Sequence, residues 1–125
     1  MPKPLWNALA LVAVVVAGTF SACGQSSVID KVRVHNASEF DFAVDVTNDE
    51  RTGWTNLGTA RRLSTDVTED VVDQGDVWIF RFQTQGVSAG ELRVSRETLR
   101  RDRWTIDVPS DAIERVRQSG APPSG

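Results

Sequence analysis

Apolar and polar residues alternate along most of the chain beyond residue 30, in short runs that polar turns separate. The clearest run is EFDFAVDVT at 39–47, in which Phe or Val occupies every second position. This period of two is typical of a β-strand with one buried face. The run VWIFRFQT at 77–84 is apolar on both faces over its first half, which is typical of a central strand.

Weaker alternation predicts further strands in five segments, which are KVRVHN at 31–36, WTNLGTA at 54–60, STDVTEDVV at 64–72, GELRVSR at 90–96 and WTIDVP at 104–109. Helical signals are fewer: SRETLRRD at 95–102 favours one turn, and PSDAIERVRQSG at 109–120 favours a short helix capped at Ser110 or Asp111 and ended at Gly120. We therefore expect an all-β fold, an antiparallel two-sheet sandwich of about seven strands, immunoglobulin-like, with a short C-terminal helix. The expected domain covers residues 28–120, and residues 121–125 are expected to form a disordered tail.

The first 22 residues have the pattern of an export signal. Lys3 and the free amino terminus are positive, and an apolar or small-residue run of signal-peptide length follows from Ala8 to Phe20. That run is shorter than the roughly 20 residues that span a bilayer. We therefore expect residues 1–22 to be a signal peptide.

The sole cysteine of the chain stands where this apolar run gives way to polar residues. Phe20, Ser21, Ala22 and Cys23 resemble the lipobox of bacterial lipoprotein precursors, an aliphatic residue and two small residues before cysteine, although leucine is usual where Phe20 stands. The resemblance implies a diacylglyceryl group on the Cys23 sulfur and cleavage between Ala22 and Cys23. An uncleaved signal anchor and a plain secreted chain with a free thiol are the alternatives.

The body of the chain looks like the small β-sandwich lipoproteins of actinobacteria, a similarity of layout and composition. These resemblances imply a lipidated tether at 23–27 and a domain held at the extracytoplasmic face of the cell membrane by acyl chains. We expect a non-enzymatic interaction module of the cell envelope with a protein partner. The alternative is a small-ligand or lipid carrier with a cavity between the sheets.

Composition and charge remove several other functions from consideration. The net charge of −3 and the absence of a polybasic run argue against nucleic acid as a partner. A single histidine, His35, without a G-x-S-x-G motif argues against a hydrolase triad. With one His and only the initiator Met, a copper or zinc site is not expected either. We predict no catalytic residue, metal or cofactor; lipidation at Cys23 is the one predicted site.

Three other features have two interpretations each. Acidic residues at 48–50 and 66–76 have oxygens for calcium but lack the spacing of a calcium loop, so exposed surface is favoured. The group RRDR at 100–103 beside Trp104 is interpreted as surface charge, with a lipid-headgroup or partner contact as the alternative. Trp54, Trp78 and Trp104 are assigned to the core rather than to a ligand cavity. Asn36–Ser38, a glycosylation sequon in form, is predicted to be a hairpin turn.

Overall fold

The computed structural model describes residues 27–125, which form seven strands and two short helices. The strands are β1 (Val28–Asn36), β2 (Phe42–Asn48), β3 (Thr55–Ala60), β4 (Ser64–Val72), β5 (Val77–Thr84), β6 (Val87–Ser95) and β7 (Thr105–Asp107), and the helices are α1 (Arg96–Arg101) and α2 (Ser110–Gln118). The strand content, the strand number and the C-terminal helix confirm the predicted all-β class.

The strands form two sheets with the orders β4-β1-β7 and β3-β2-β5-β6. All neighbouring strands are antiparallel except β1 and β7, which run parallel. Buried side chains from both sheets form one hydrophobic cluster, so the fold is a sandwich. The immunoglobulin-like arrangement is not confirmed, because β1 lies between β4 and β7, whereas in an immunoglobulin constant domain the first strand pairs with the second.

The alternating pattern of the sequence determines which face of each strand is buried. In β2 the side chains of Phe42, Val44 and Val46 are buried, while Ala43 is exposed and Asp45 half-buried. In β5 the predicted two-sided burial is confirmed, since Trp78, Phe80 and Phe82 face the core and Ile79 on the opposite face is buried as well. This strand lies between β2 and β6, as a central strand should.

The two helices start and stop at recognisable signals. The Ser95 side chain caps α1 by accepting a hydrogen bond from the Thr98 N–H. Both predicted caps of α2, Ser110 and Asp111, lie inside the helix instead, because Pro109 holds the N-cap position, without a side-chain hydrogen bond. Gly120 follows α2 with φ of 81°, which only glycine adopts easily, so the predicted stop is confirmed.

A fully buried asparagine joins the two sheets. Asn36, the last residue of β1, donates hydrogen bonds from Nδ2 to the carbonyl oxygens of Phe40 (2.7 Å) and Ala60 (2.8 Å). Its Oδ1 accepts from the N–H (3.0 Å) and the hydroxyl (2.6 Å) of Ser38. The predicted hairpin at 36–38 is therefore wrong, because β1 and β2 belong to different sheets and this segment crosses between them.

Residues 121–125, for which the sequence predicts a disordered tail, make specific contacts with the loop between β1 and β2. The Ser124 N–H donates to the Glu39 carbonyl at 3.0 Å, and the Asp41 N–H donates to the Ser124 hydroxyl at 2.8 Å. Gln85 binds the Pro122 carbonyl at 2.8 Å. Most of these bonds involve main-chain groups, which explains why the composition of the segment does not predict them.

Candidate functional site

Cys23, the predicted lipidation site, lies outside the described residues. Strand β1 begins five residues after it, at Val28. Neither of the two helices found in 27–125 is long and apolar enough to cross a bilayer. The candidate sites that the structure describes therefore lie on the sandwich itself.

His35 projects from the outer surface of the β4-β1-β7 sheet between Thr65 and Asp107, its register neighbours. Its Nδ1 lies 2.8 Å from the Thr65 hydroxyl, and His35 is exposed. In a hydrolase triad one ring nitrogen faces the nucleophile and the other the carboxylate. Asp107 forms no ion pair with the His35 imidazole. Thr65, His35 and Asp107 are therefore neighbours on three adjacent strands, but they do not have the geometry of a triad.

The two acidic segments meet at one surface cleft of about 270 Å³, where Asp49 and Glu50 lie near Asp76. Asp49 is paired with Arg93 across the sheet, and Asp73 with Arg96. Among residues 27–125 no three His, Cys, Asp or Glu side chains converge as metal ligands would. Asp49 and Asp73 thus each have an arginine partner, which a carboxylate that binds calcium would have to give up.

The basic group at 100–103 lies beside strand β1. A surface cleft of about 610 Å³ separates the end of α1 from the start of β1, and we call it the basic cleft. Its charged and aromatic lining consists of Asp30, Lys31, Arg33, Arg100, Arg103 and Trp104. Four cationic side chains therefore face one carboxylate, and within the described part of the chain none of the four forms an ion pair.

Two consecutive residues of the basic cleft have left-handed backbone conformations. Arg103 and Trp104 both have φ of 57°, which costs an L-residue roughly 1–2 kcal/mol. The conformation turns the chain sharply after α1, so that the Trp104 carbonyl accepts a hydrogen bond from the Arg33 N–H at 2.8 Å. This bond fixes the basic end of α1 against β1 and brings Arg103 close to the cations of that strand.

Of the three tryptophans assigned to the core, one is wrongly assigned. Trp78 is fully buried, and Trp104 is half-buried, with its ring centroid 5.3 Å from that of Trp78. Trp54 is not part of the core cluster, and it lies with the Arg81 guanidinium carbon 3.9 Å from its ring centroid. Cation–π attraction between Trp54 and Arg81, which also pairs with Asp45 at 2.9 Å, explains how a large aromatic remains stable outside the core.

Exposed apolar side chains follow one edge of the sandwich. Within residues 27–125 four large apolar side chains are exposed, and they are Val28, Leu63, Val67 and Val72. Val67 and Val72 belong to β4, the end strand of its sheet, and Val28 is the register partner of Val72 on β1. Leu63 immediately precedes β4 and is the most exposed of the four, at 74%.

The turn that presents Leu63 is held by three backbone hydrogen bonds. The Leu63 N–H donates to the Ser38 carbonyl at 3.0 Å. The N–H groups of Arg62 and Arg61 donate at 2.7 Å to the carboxylates of Asp41 and Asp66, respectively. Burial opposes ionisation of Asp66, but the Arg61 N–H and guanidinium outweigh that effect, and the pKa of Asp66 is lowered. These hydrogen bonds fix the conformation of the turn and the position of Leu63 on the surface.

The sequence predicted parts of these two surfaces and missed others. RRDR and Trp104 were recognised, but Lys31 and Arg33 were predicted only as part of the strand at 31–36, because the parallel pairing of β1 with β7 is not visible in the pattern. Leu63 was missed altogether. The signal that could have found it is a lone leucine inside the polar turn RRLST.

Comparison with known proteins gives no match: the chain resembles no family model, no curated protein and no solved structure closely enough to be assigned to it. The class is therefore defined by the architecture itself, as a small all-β sandwich of a three-stranded and a four-stranded sheet with two short helices.

Proposed function

We propose that this chain is a lipoprotein anchored through Cys23 at the extracytoplasmic face of a membrane, and that its sandwich is a non-enzymatic interaction module. The lipobox-like residues 20–23 support the anchor. The observation that supports the interaction module is Leu63, a leucine that is exposed and at the same time strained.

Leu63 has φ of 51° and a side chain that is 74% exposed. The left-handed conformation disfavours leucine by roughly 1–2 kcal/mol, whereas asparagine and glycine adopt it readily. Leu63 is not part of the core cluster either, so burial does not compensate for the strain. A leucine at this position is explained by contact with a partner, in which the side chain would be buried at the interface.

Strand β4 extends the same surface. It is nine residues long, and only β1 pairs with it in its sheet. The other end strand of that sheet, β7, has three residues. A long end strand offers unpaired backbone groups to a second chain, and the exposed Val67 and Val72 add apolar contact along it. A partner strand or loop that lies along β4 and reaches Leu63 fits this surface.

The packing between the sheets favours the interaction module over the carrier. Phe42, Trp78, Phe80 and Phe82 are fully buried there. Their rings contact one another, with Phe42 and Phe82 at 6.3 Å edge to face and Trp78 and Phe80 stacked at 6.1 Å. These contacts between aromatic side chains support the interaction module, since a carrier would need space among them for its ligand.

Site-specific cross-linking in intact cells of the native host tests the interaction surface. A photo-reactive amino acid replaces Leu63 or Val67 in the full chain, and in a control it replaces Gln118, an exposed residue at the end of α2. We expect one discrete adduct from positions 63 and 67 that position 118 does not give. The same products from all three positions, or none from 63 and 67, would contradict the proposal.

The anchor is tested by the intact mass of the chain extracted from host membranes. A chain that begins at Cys23 and is heavier by its acyl groups supports the lipoprotein. A mature chain without added mass indicates plain secretion, and a full-length chain indicates an uncleaved signal anchor; either result would overturn the lipoprotein assignment.

A further inference from the structure

We infer that the basic cleft binds the phosphate groups of anionic phospholipids, and so determines which side of the sandwich rests on the membrane. The inference rests on the proposed anchor at Cys23 and adds to it a second, non-covalent membrane contact. Its ligand is a phospholipid headgroup within a membrane surface.

The charge of the cleft is the first argument. The chain as a whole has a net charge of −3, so an anionic membrane repels it unless a cationic region faces the surface. Lys31, Arg33, Arg100 and Arg103 line one cleft with Asp30 as the only carboxylate in its lining. Arginine matches phosphate oxygens through paired N–H groups, and lysine contributes a compact positive charge.

The other neighbouring carboxylates lie outside the lining of the cleft and form no ion pair with its four cations. Glu69 is the register partner of Lys31, and Asp102 lies 3.8 Å from Arg101, outside the cleft lining. Arg100 also borders a second cleft that contains Asp76 and Glu97. None of these four acids is part of the lining of the basic cleft, where the positive side chains are in the majority.

The position of the cleft is the second argument. Lys31 and Arg33 lie on β1, whose first residue follows Cys23 by five residues. Five residues span at most about 17 Å even when fully extended, so an acylated Cys23 keeps the start of β1 close to the headgroups. No other strand or helix of the sandwich is tied so closely in sequence to the predicted anchor.

The third argument is the way in which Trp104 is placed. Its ring packs on that of Trp78 in the core, and Trp104 is also one of the residues that line the cleft. Tryptophan with an apolar and a polar environment is typical of the membrane interface. The left-handed Arg103 ends α1 in a Schellman motif, in which the Arg103 N–H donates to the Arg100 carbonyl at 3.1 Å and the Trp104 N–H donates to the Leu99 carbonyl at 2.6 Å. This helix end places Trp104 beside the cations of the cleft.

Arginine labelling of the membrane-extracted chain tests this inference. The protein is reconstituted in vesicles of phosphatidylcholine, and in the same vesicles with added phosphatidylglycerol, and is treated with phenylglyoxal. Mass spectrometry of peptides then gives a labelling rate for each arginine. We expect Arg33, Arg100 and Arg103 to react about fivefold more slowly in the anionic vesicles, and to lose this protection at high salt. Arg51 and Arg117, which pair with glutamates elsewhere, serve as internal references.

Two double variants with equal loss of charge complete the test. Arg100→Gln/Arg103→Gln should abolish the protection of Arg33, whereas Arg51→Gln/Arg93→Gln on another face should leave it unchanged. Equal labelling of Arg33 in both kinds of vesicle overturns the inference. So does protection by inorganic phosphate without anionic lipid, which would indicate a site for a free anion, and so does protection seen only in native membranes, which would indicate a protein partner.

The experiment distinguishes a chain without lipidation at Cys23 from a basic cleft that does not bind phospholipid. The intact mass of the same preparation reports on Cys23 alone. If that mass shows no acyl group, the chain is added to preformed vesicles and the labelling is repeated. Selective protection of the three cleft arginines then still supports the cleft, and its absence overturns it.

Discussion

Replacing Asn36 by alanine should remove a fully buried polar link between the two sheets. Asn36 is fully buried, and its side chain makes four hydrogen bonds, which use both N–H donors and both acceptor positions of the amide. The Phe40 and Ala60 carbonyl groups and the Ser38 N–H lose these partners in the variant.

The expected loss in the free energy of unfolding follows from the number of hydrogen bonds that the variant lacks. A hydrogen bond contributes about 1 kcal/mol net, and an abandoned buried group costs at least as much, so the variant should lose about 3–4 kcal/mol. A domain of about 100 residues has a free energy of unfolding of about 5–15 kcal/mol, so this is a large share. The melting temperature should fall by roughly 15–30 °C.

Urea denaturation followed by tryptophan fluorescence measures the loss. Asn56→Ala is the matched control, because Asn56 is exposed and makes two hydrogen bonds, with Asp45 at 3.0 Å and the Gly58 N–H at 2.8 Å. We expect the control to lose less than about 1 kcal/mol. An equally small loss for Asn36→Ala would refute the reasoning, since it would mean that the abandoned groups find water or new partners at no cost.

Three further predictions concern strain and charge. Leu63→Asn should raise the free energy of unfolding by up to about 1 kcal/mol, because asparagine tolerates φ of 51°; a less stable variant in urea denaturation would contradict the strain at this position. Arg103→Gly should be more stable than Arg103→Gln by up to about 1 kcal/mol, since both lose the charge and only glycine relieves the backbone, and the reverse order of melting temperatures would argue against it. Acid should destabilise the fold, because the hydrogen bond from Arg117 lowers the pKa of Glu39 and the hydrogen bond from Arg51 lowers the pKa of Glu91. A carboxyl group whose pKa is lower in the folded chain than in the unfolded chain stabilises the fold at neutral pH, and this stabilisation is lost as the pH falls below about 4.5. A melting temperature that stays constant from about pH 6 to pH 3 would show that these ion pairs contribute nothing.

The local alternation of apolar and polar residues predicted burial correctly where the hydrophobicity of a side chain alone determines whether it is buried. Phe42 and Val44 are buried because they alternate with less apolar neighbours, and β5 is central because it is apolar on both faces. The pattern failed at Trp54, because a partner 27 residues away, Arg81, offers its ring a favourable place outside the core. It failed at Asn36–Ser38 as well, because a turn signal does not reveal whether the next strand joins the same sheet.

In the two candidate surfaces, too, some residues could be predicted from the sequence and others could not. RRDR and Trp104 are adjacent in the sequence and were recognised there, whereas Lys31 and Arg33 reach the cleft only through the pairing of β1 with β7. Leu63 gave no periodic signal, since a single apolar residue in a turn has none. Its exposure and its backbone angle are properties of the folded chain.

The sequence by itself therefore determined the all-β class, the inward face of most strands, the C-terminal helix and the prediction of an anchor at Cys23. Those features depend on periodicity, on caps and on a short contiguous motif, which are local. Only the tertiary structure decided the division of the strands between two sheets, the link made by Asn36, the cations that form the basic cleft and the exposure of Leu63. These depend on contacts between residues far apart in the chain, and the free energies of such contacts appear only once the sheets have packed together.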